Sequence, residues 1–329
     1  MEILLDSAKK YFKANLHCHS TCSDGRATAE DIKREYMKRG YSVIAYTDHN
    51  RVVDHSELDE ENFITIPSLE LAFLEGEWSI TARSLHVNFY AKDKANIVTP
   101  FSDAEHDESC HEWLRDKIIY DGCYKRDYDV DAVNALIREA HERGYLVSYN
   151  HPNWSLESAE RYMGYEGFDF LEIHNTGATV SGHVGDERVL EDMLLGGKRI
   201  FCTAADDNHN IHGFEGPKSD SFGGWVMINA DRLEYGEIMS ALERGDFYAS
   251  NGGPEIYSLV RDGDSVEITT SEASRIVMRT GSRRCRAKMA EDGKPLTRAK
   301  FKLDPGYRYF RIRVENEHGK CSFTQAYVI

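Results

Sequence analysis

The chain has 329 residues, 40 Lys+Arg against 56 Asp+Glu for a net charge of −16, and 41% hydrophobic residues. That length and apolar content exclude a disordered chain, no apolar run approaches the roughly 18 residues of a membrane span, and an acidic balance without a Lys/Arg-rich block excludes general nucleic-acid binding. The opening MEILLDSAKK lacks the basic-then-apolar order of a secretory signal, and the seven scattered cysteines include no Cys-x-x-Cys pair, so a cytoplasmic protein with reduced thiols is expected.

Short β-rich runs recur along the chain, most of them followed by a helical pattern. The first is Tyr11–His17. Thr28 with Asp31 then opens a helix in capping-box style, closed by Gly40 before the run Tyr41–Asp48. Phe63–Leu69 and Leu85–Tyr90 follow. Residues 91–129 interrupt the alternation and contain a predicted helix from Ser102 to about Tyr120, with Ser102 and Glu105 as its capping pair. Val130, Val133, Leu136, Ile137 and Ala140 fall at helical spacing and stop at Gly144. Tyr145–His151, Phe168–Glu172 and Arg199–Ala204 complete seven strands. Alternation of this kind predicts an α/β fold on a mostly parallel sheet, curled or open. After Ser250-Asn251-Gly252-Gly253-Pro254 the character changes. Alternating runs at Ser265–Thr270, Arg275–Arg279 and Tyr307–Glu315, with turns at Asp262-Gly263-Asp264 and Asp292-Gly293, predict a small antiparallel β-domain over 255–329 after a first domain over 1–254.

The strand ends carry metal-ligand side chains: His17-Cys18-His19, Asp24, Thr47-Asp48-His49, Glu70, His86, His151 and Asp207-Asn208-His209. His-x-His on a strand points both imidazoles to one face, because side chains alternate with period two. Imidazole with carboxylate suits Zn, Mn or Fe. In parallel barrels and doubly wound sheets the carboxyl ends of the strands converge, so residues distant in sequence can meet. A lone His-x-His is a weak signal; the joint pattern is not, although a solvated or core role could account for His86 above all. Strand alternation turns Cys18 away from its flanking histidines, which favours a structural role for the thiols at Cys18 and Cys22. His55, His106, His111, His141, His183 and His318 read as surface residues.

Asn15-Leu16-His17-Cys18-His19-Ser20 with Ser23-Asp24-Gly25, Tyr46-Thr47-Asp48-His49-Asn50, Glu70, Asn150-His151-Pro152 and Asp207-Asn208-His209 together resemble the PHP (polymerase and histidinol phosphatase) family of metal-dependent phosphoesterases. Phe247–Pro254 further resembles its CehA/McbA-like subgroup. The resemblance covers about residues 11–254 and implies a distorted (β/α)7 TIM-like barrel. It also implies two to three divalent metal ions (Zn, Mn or Fe). His17, His19 and Asp207 would hold one, His86 and His151 a second, Asp24, His49 and His209 a third, with Glu70 bridging the first two. Asp206 competes with Asp207 for its place, and the Asp-x-His spacing favours Asp207.

Three divalent ions less the charges of Asp24, Glu70 and Asp207 leave a positive mouth on an acidic chain, which draws in a small anionic, phosphorylated substrate. A water bridging two such ions loses a proton near neutral pH, and hydrolysis of a phosphate ester on a small metabolite or nucleotide follows. Glu70, Asp207 and His174 are the candidate catalytic residues, His174 as proton donor to a leaving group or as a merely structural residue. Trp154 is a candidate pocket wall, and Arg26, Arg51 and Arg83 are candidate phosphate clamps or plain surface charges. The 91–129 insertion is expected to form a substrate-selecting lid using Arg115, Lys117, Lys125, Arg126, Trp113, Tyr120 and Tyr124. The competing functions are amide or lactone hydrolysis at the same metals, and a non-catalytic metal- or ligand-binding module.

Overall fold

The computed structural model describes residues 1–77, 79–102, 110–122, 124–291 and 293–329. In chain order the first half contains β1 (Glu2–Leu5), β2 (Lys10–Asn15), α1 (Ala29–Met37), β3 (Tyr41–Tyr46), β4 (Ile64–Leu74), β5 (Ser84–Ala91), β6 (Val98–Thr99), α2 (Glu112–Arg115), β7 (Ile119–Tyr120) and α3 (Val130–Glu142). It continues with β8 (Tyr145–Asn150), α4 (Ala159–Tyr162), β9 (Phe170–Asn175), α5 (Thr176–Val180), α6 (Glu187–Leu195), β10 (Phe201–Ala205), β11 (Trp225–Ala230), α7 (Tyr235–Arg244) and β12 (Phe247–Ser250). The remainder is all strand: β13 (Ile256–Asp262), β14 (Ser265–Ala273), β15 (Arg275–Arg279), β16 (Arg286–Met289), β17 (Leu296–Lys302), β18 (Tyr309–Glu315), β19 (Cys321–Phe323) and β20 (Tyr327–Val328). No helix among the described residues is long and apolar enough to cross a membrane.

The helix ends follow local chemistry. Thr28 accepts the Asp31 N–H at the start of α1, and Asp129 accepts those of Asp131 and Ala132 at the start of α3. The seven expected strands are β2, β3, β4, β5, β8, β9 and β10, and they lie side by side in that order. β8 and β9 are buried at every position, as a strand covered on both faces must be. One direction departs from the expected parallel sheet: β5 runs antiparallel to both β4 and β8. The cause is the connection, since residues 75–83 are too short to carry a crossover and leave β4 and β5 as a hairpin.

The central sheet is not a closed barrel among the described residues. Its ladder ends at β10 on one side and passes from β2 to β11 on the other. Two devices span the gap. An isolated bridge joins Cys18 to Asn208, with Asp207 N–H donating to His17 O (2.9 Å) and His19 N–H to Asn208 O (3.1 Å). Lower down, the Gln325 amide accepts the Cys202 N–H (2.7 Å) and donates to Cys202 O (3.1 Å) and Phe247 O (3.3 Å), doing for the edge of β10 what a neighbouring strand would do.

Two large cores and two smaller apolar clusters share the chain. The first holds the central sheet with α3, α6 and α7, and takes in Cys321 and Phe323 from β19. The second lies between a four-stranded sheet, β1-β13-β14-β17, and the strands β15 and β18; it includes Leu5, Ile256, Val266, Ile268, Met278, Phe310 and Ile312. The segments therefore cross. The first strand joins the C-terminal sheet, while β19 pairs with β12 and extends the central one. Where β18 meets α6, the fully buried Arg311 donates to Glu191 (2.6 and 2.8 Å) and Glu187 (2.9 Å), joined by Arg313 to Glu187 and Arg279 to Glu191.

The 91–129 segment is mostly irregular where described. Instead of a helix to Tyr120, α2 spans Glu112–Arg115, and Ile119–Tyr120 pairs in parallel with Val98–Thr99. Glu105 and His106 lie outside the described residues, as does Asp292 of the second expected turn.

Candidate metal centre

Past Asn15 the chain stays extended, and alternation sends Cys18 away from His17 and His19 into an apolar cluster with Ile32, Tyr36 and Tyr46. Thr47 locks this motif to the next: its N–H donates to Cys18 O (2.8 Å) and its Oγ1 accepts the Cys18 N–H (3.0 Å). His49 is bridged to Glu70 in the same way. Asn50, His151 and Asp207 all have positive φ (64°, 27° and 51°), a left-handed backbone that non-glycine residues rarely adopt and that turns the motif ends inward.

These turns gather the other eight expected ligand residues into one cluster with Glu70. Its Oε1 lies 3.2 Å from His17 Nε2, 3.2 Å from His86 Nδ1 and 3.4 Å from His151 Nε2; its Oε2 lies 3.2 Å from His49 Nδ1 and 3.4 Å from His19 Nε2. Asp207 Oδ1 sits between His19 Nε2 (3.0 Å) and His17 Nε2 (3.2 Å). Asp24, at the rim, has Oδ2 3.4 Å from His209 Nε2 and 3.6 Å from His49 Nε2. Ligand atoms fall into three close groups within this cluster: His17, His19, Glu70 and Asp207; Glu70, His86 and His151; and His19, Asp24, His49 and His209. Asp206 faces the other way. It accepts N–H bonds from Phe222, Gly223 and Gly224 and hydroxyl bonds from Tyr36 and Thr176, a structural role that leaves the cluster to Asp207.

Among the described residues the ion pairs of the Glu70 and Asp207 carboxylates are with imidazoles. Burial opposes ionisation of Glu70 and Asp207, yet His17 with His86 for the first, and His17 with His19 for the second, hold both carboxyls well below their usual range. Conversely, burial disfavours charge on His17 and His19, while Asp207 and Glu70 raise both, His19 to about 10. His49 moves down to about 4 through burial and its neighbour His19. Protons and cations thus compete for the same buried negative charge. The donor set fits a cation. His19 Nδ1 is buried without a hydrogen-bond partner and finds only Asp24 Oδ1 at 3.7 Å, and the Nε2 atoms of His17 and His19 approach to 3.2 Å.

The carboxylate of Glu172 escaped sequence reasoning. It accepts from His17 Nδ1 (3.0 Å), from the His151 N–H (3.1 Å) and from Asn175 Nδ2 (2.8 Å), fixing the His17 tautomer from behind. Its signal was present: a single carboxylate within the otherwise apolar run Phe170–Ile173. Asn150, donating to Glu70 (3.0 Å), and Ser155, 3.2 Å from His151 Nδ1, belong to the same support.

Other candidates lie elsewhere. His174 is set apart from the cluster. Its Nε2 is 3.5 Å from Thr176 Oγ1, and it lines a different cavity with Asn251, His318 and Lys320. Arg51 is no surface charge but fully buried, donating to Cys22 O. Arg26 is exposed, and Arg83 pairs with Glu75 at 3.8 Å. His55 is buried too, against expectation, with its ring 4.6 Å from that of Tyr46.

A cavity of about 620 Å³ opens beside the cluster, lined by Asp24, His49 and His86, by Ala72, Leu74, Ile80 and Ala82 of the β4–β5 hairpin, and by Trp154, Leu156 and His183. Trp154 stands edge-on to His86 (5.2 Å) and His151 (5.1 Å). The wall is thus the hairpin and the 154–156 turn. No described residue of 91–129 lines the cavity, although Arg126 donates to Asn50 Oδ1 (2.7 Å) at its edge. Among its described lining residues there is no lysine or arginine.

No protein-family model matches the chain, and no curated protein does. Among solved structures it is similar to a two-domain protein from Bacteroides vulgatus containing a predicted PHP-like metal-dependent phosphoesterase, with 15% identity over 98% of this chain and 96% of that one and a TM-score of 0.44. It is also similar to a proposed metal-dependent phosphoesterase from Bifidobacterium adolescentis, with 15% identity, coverage of 62% and 90% and a TM-score of 0.41. A third is an amidohydrolase from Chromobacterium violaceum with bound sulfate and no metal, with 13% identity, coverage of 60% and 87% and a TM-score of 0.37.

Proposed function

We propose that the chain is a metal-dependent hydrolase that cleaves a phosphate ester of a small molecule. The observation that carries this is the convergence of five imidazoles on the two oxygens of one buried carboxylate, Glu70. The residue motifs shared with PHP phosphoesterases support it. His17, His19, Asp207 and Glu70 would hold one divalent ion, Glu70, His86 and His151 a second, and Asp24, His49 and His209 a third, with Zn, Mn or Fe suiting the donors. When bound, such ions supply Lewis acidity and bring a water's pKa toward neutrality.

The remaining work falls to the chain. Glu172 holds His17 in one tautomer, and Asn175 Nδ2, 3.0 Å from Asp207 Oδ2, orients Asp207. Trp154, Leu74, Ile80 and Leu156 offer an apolar wall that excludes water from the leaving group. That wall favours a substrate with one anionic centre and an uncharged remainder over a polyphosphate. His174, in the other cavity, is given no step. That no lysine or arginine stands among the described lining residues of this cavity favours one second reading, hydrolysis of a neutral ester, amide or lactone.

Protein stripped with a chelator and reloaded with Zn, Mn or Fe should be assayed on p-nitrophenyl phosphate, bis-p-nitrophenyl phosphate and p-nitrophenyl acetate. Phosphate release restored by metal is the expected result. Metal-dependent cleavage of the acetate alone would move the assignment to the second reading, and metal-loaded protein inert on all three would sink both.

A further inference from the structure

We infer that Cys22, Asp48 and His55 form a separate binding site for one divalent cation of zinc type, behind the mouth. One ligand atom from each lies within 4.8 Å of the other two, and none of the three belongs to the groups around Glu70. All are enclosed: Cys22 is 7% exposed, Asp48 1% and His55 7%.

The hydrogen bonding leaves room for a cation. His55 Nε2 is buried and has no partner, although imidazole nitrogens withdrawn from water are ordinarily paired. Asp48 Oδ1 is taken up by the Ser20 N–H (2.8 Å) and the Ser23 hydroxyl (2.7 Å), whereas Oδ2, among the described residues, accepts only the Ser20 hydroxyl (2.8 Å) and keeps a lone pair. Neither side chain bonds the other. Thiolate, imidazole and carboxylate together are a borderline-soft donor set, which prefers zinc to magnesium, calcium or manganese.

The position gives the site a purpose. Cys22 lies in the loop between His19 and Asp24, Asp48 adjoins His49, and His55 ends the stretch that follows. A cation held by all three ties the first loop to the second and thereby sets the separation of His19 and Asp24 from His49. Enclosure keeps it from substrate, so its role is to position, and it stands whatever reaction the mouth performs.

The test uses the full chain loaded with cobalt(II). Every proposed ligand at the mouth is nitrogen or oxygen, so a near-ultraviolet thiolate-to-cobalt charge-transfer band reports only on a cysteine site. Wild-type protein should show the band. Cys22→Ser should abolish it, and His55→Ala should weaken it, with the visible cobalt absorption of the mouth retained. Zinc content should fall by one ion per chain in Cys22→Ser. Cobalt-loaded wild type without the band would overturn the site without any variant needing to fold, and so would a band that survives Cys22→Ser.

Discussion

Two clusters of ionisable groups, each built around a fully buried member, sit at opposite ends of this molecule's chemistry. On α6, Glu187 and Glu191 meet the fixed positive charges of Arg279, Arg311 and Arg313. At the mouth, the ion pairs of Asp24, Glu70, Glu172 and Asp207 among the described residues are all with histidine. An arginine is always charged, so the α6 carboxylates are balanced by the chain itself and need nothing from outside. Imidazole is neutral or charged as conditions dictate, so the mouth depends on protons or cations for its balance. A cluster of partly buried carboxylates is therefore not by itself the mark of a site. The mark is burial opposite partners whose charge is conditional.

The largest expected effect tests the mouth. Glu70→Gln removes the charge shared by two of the ligand groups, so metal should be lost from both and the proposed hydrolase activity should fall by more than about 100-fold, with the fold kept. Metal analysis beside a thermal melt decides it, and unchanged metal content would contradict the bridging role. The α6 network should answer in the opposite currency. Glu191→Ala leaves Arg311 buried with only Glu187, and should cost about 3 kcal/mol of stability in urea titrations while kcat per folded molecule stays level. A fall in kcat without destabilisation would erase the distinction between the clusters.

The smallest effect comes from a half-exposed pair. His141 Nε2 lies 2.9 Å from Asp169 Oδ2, and that hydrogen bond raises the imidazole above its ordinary value. A raised value in the folded state stabilises below the unfolded pKa, near 6.5, and the gain is lost as pH rises through the folded one. Solvent screening keeps it to a few tenths of a kcal/mol. His141→Gln should therefore lower the melting temperature slightly at pH 5.5 and leave it unaltered at pH 9; equal shifts at both would assign the effect to packing.

Much of this arrangement was legible in sequence because it obeys short periods. Seven strands stood out as apolar runs, and the pairing of His17 with His19 on one face needs only alternation. What depended on the path between elements was not visible. The direction of β5 follows from the length of residues 75–83, and β1 joins β13 across most of the chain's length. Closure of the sheet failed for a related reason, since no ladder joins β10 to β2 among the described residues. At the site, Glu172 hid inside a strand because strand patterns are read for apolar content, and His55 looked like loop surface until the loop proved to be folded inward. Among the described residues the cavity wall comes from the β4–β5 hairpin, whose short link had drawn no notice, and not from 91–129.

The seam at β10 has a consequence for the order in which the protein is made. Cys202 presents its N–H and C=O to the Gln325 side chain, which lies 123 residues further along. At roughly 5–20 residues per second of synthesis, that separation amounts to about 6 to 25 seconds during which the edge of β10 has been made but its cover has not. For that interval the nascent chain carries an unguarded strand beside a half-assembled mouth, and an open edge pairs with whatever strand it meets. The ribosome thus releases the risk and the remedy at different times, since Gln325, between β19 and β20, emerges well after the strand whose edge it covers.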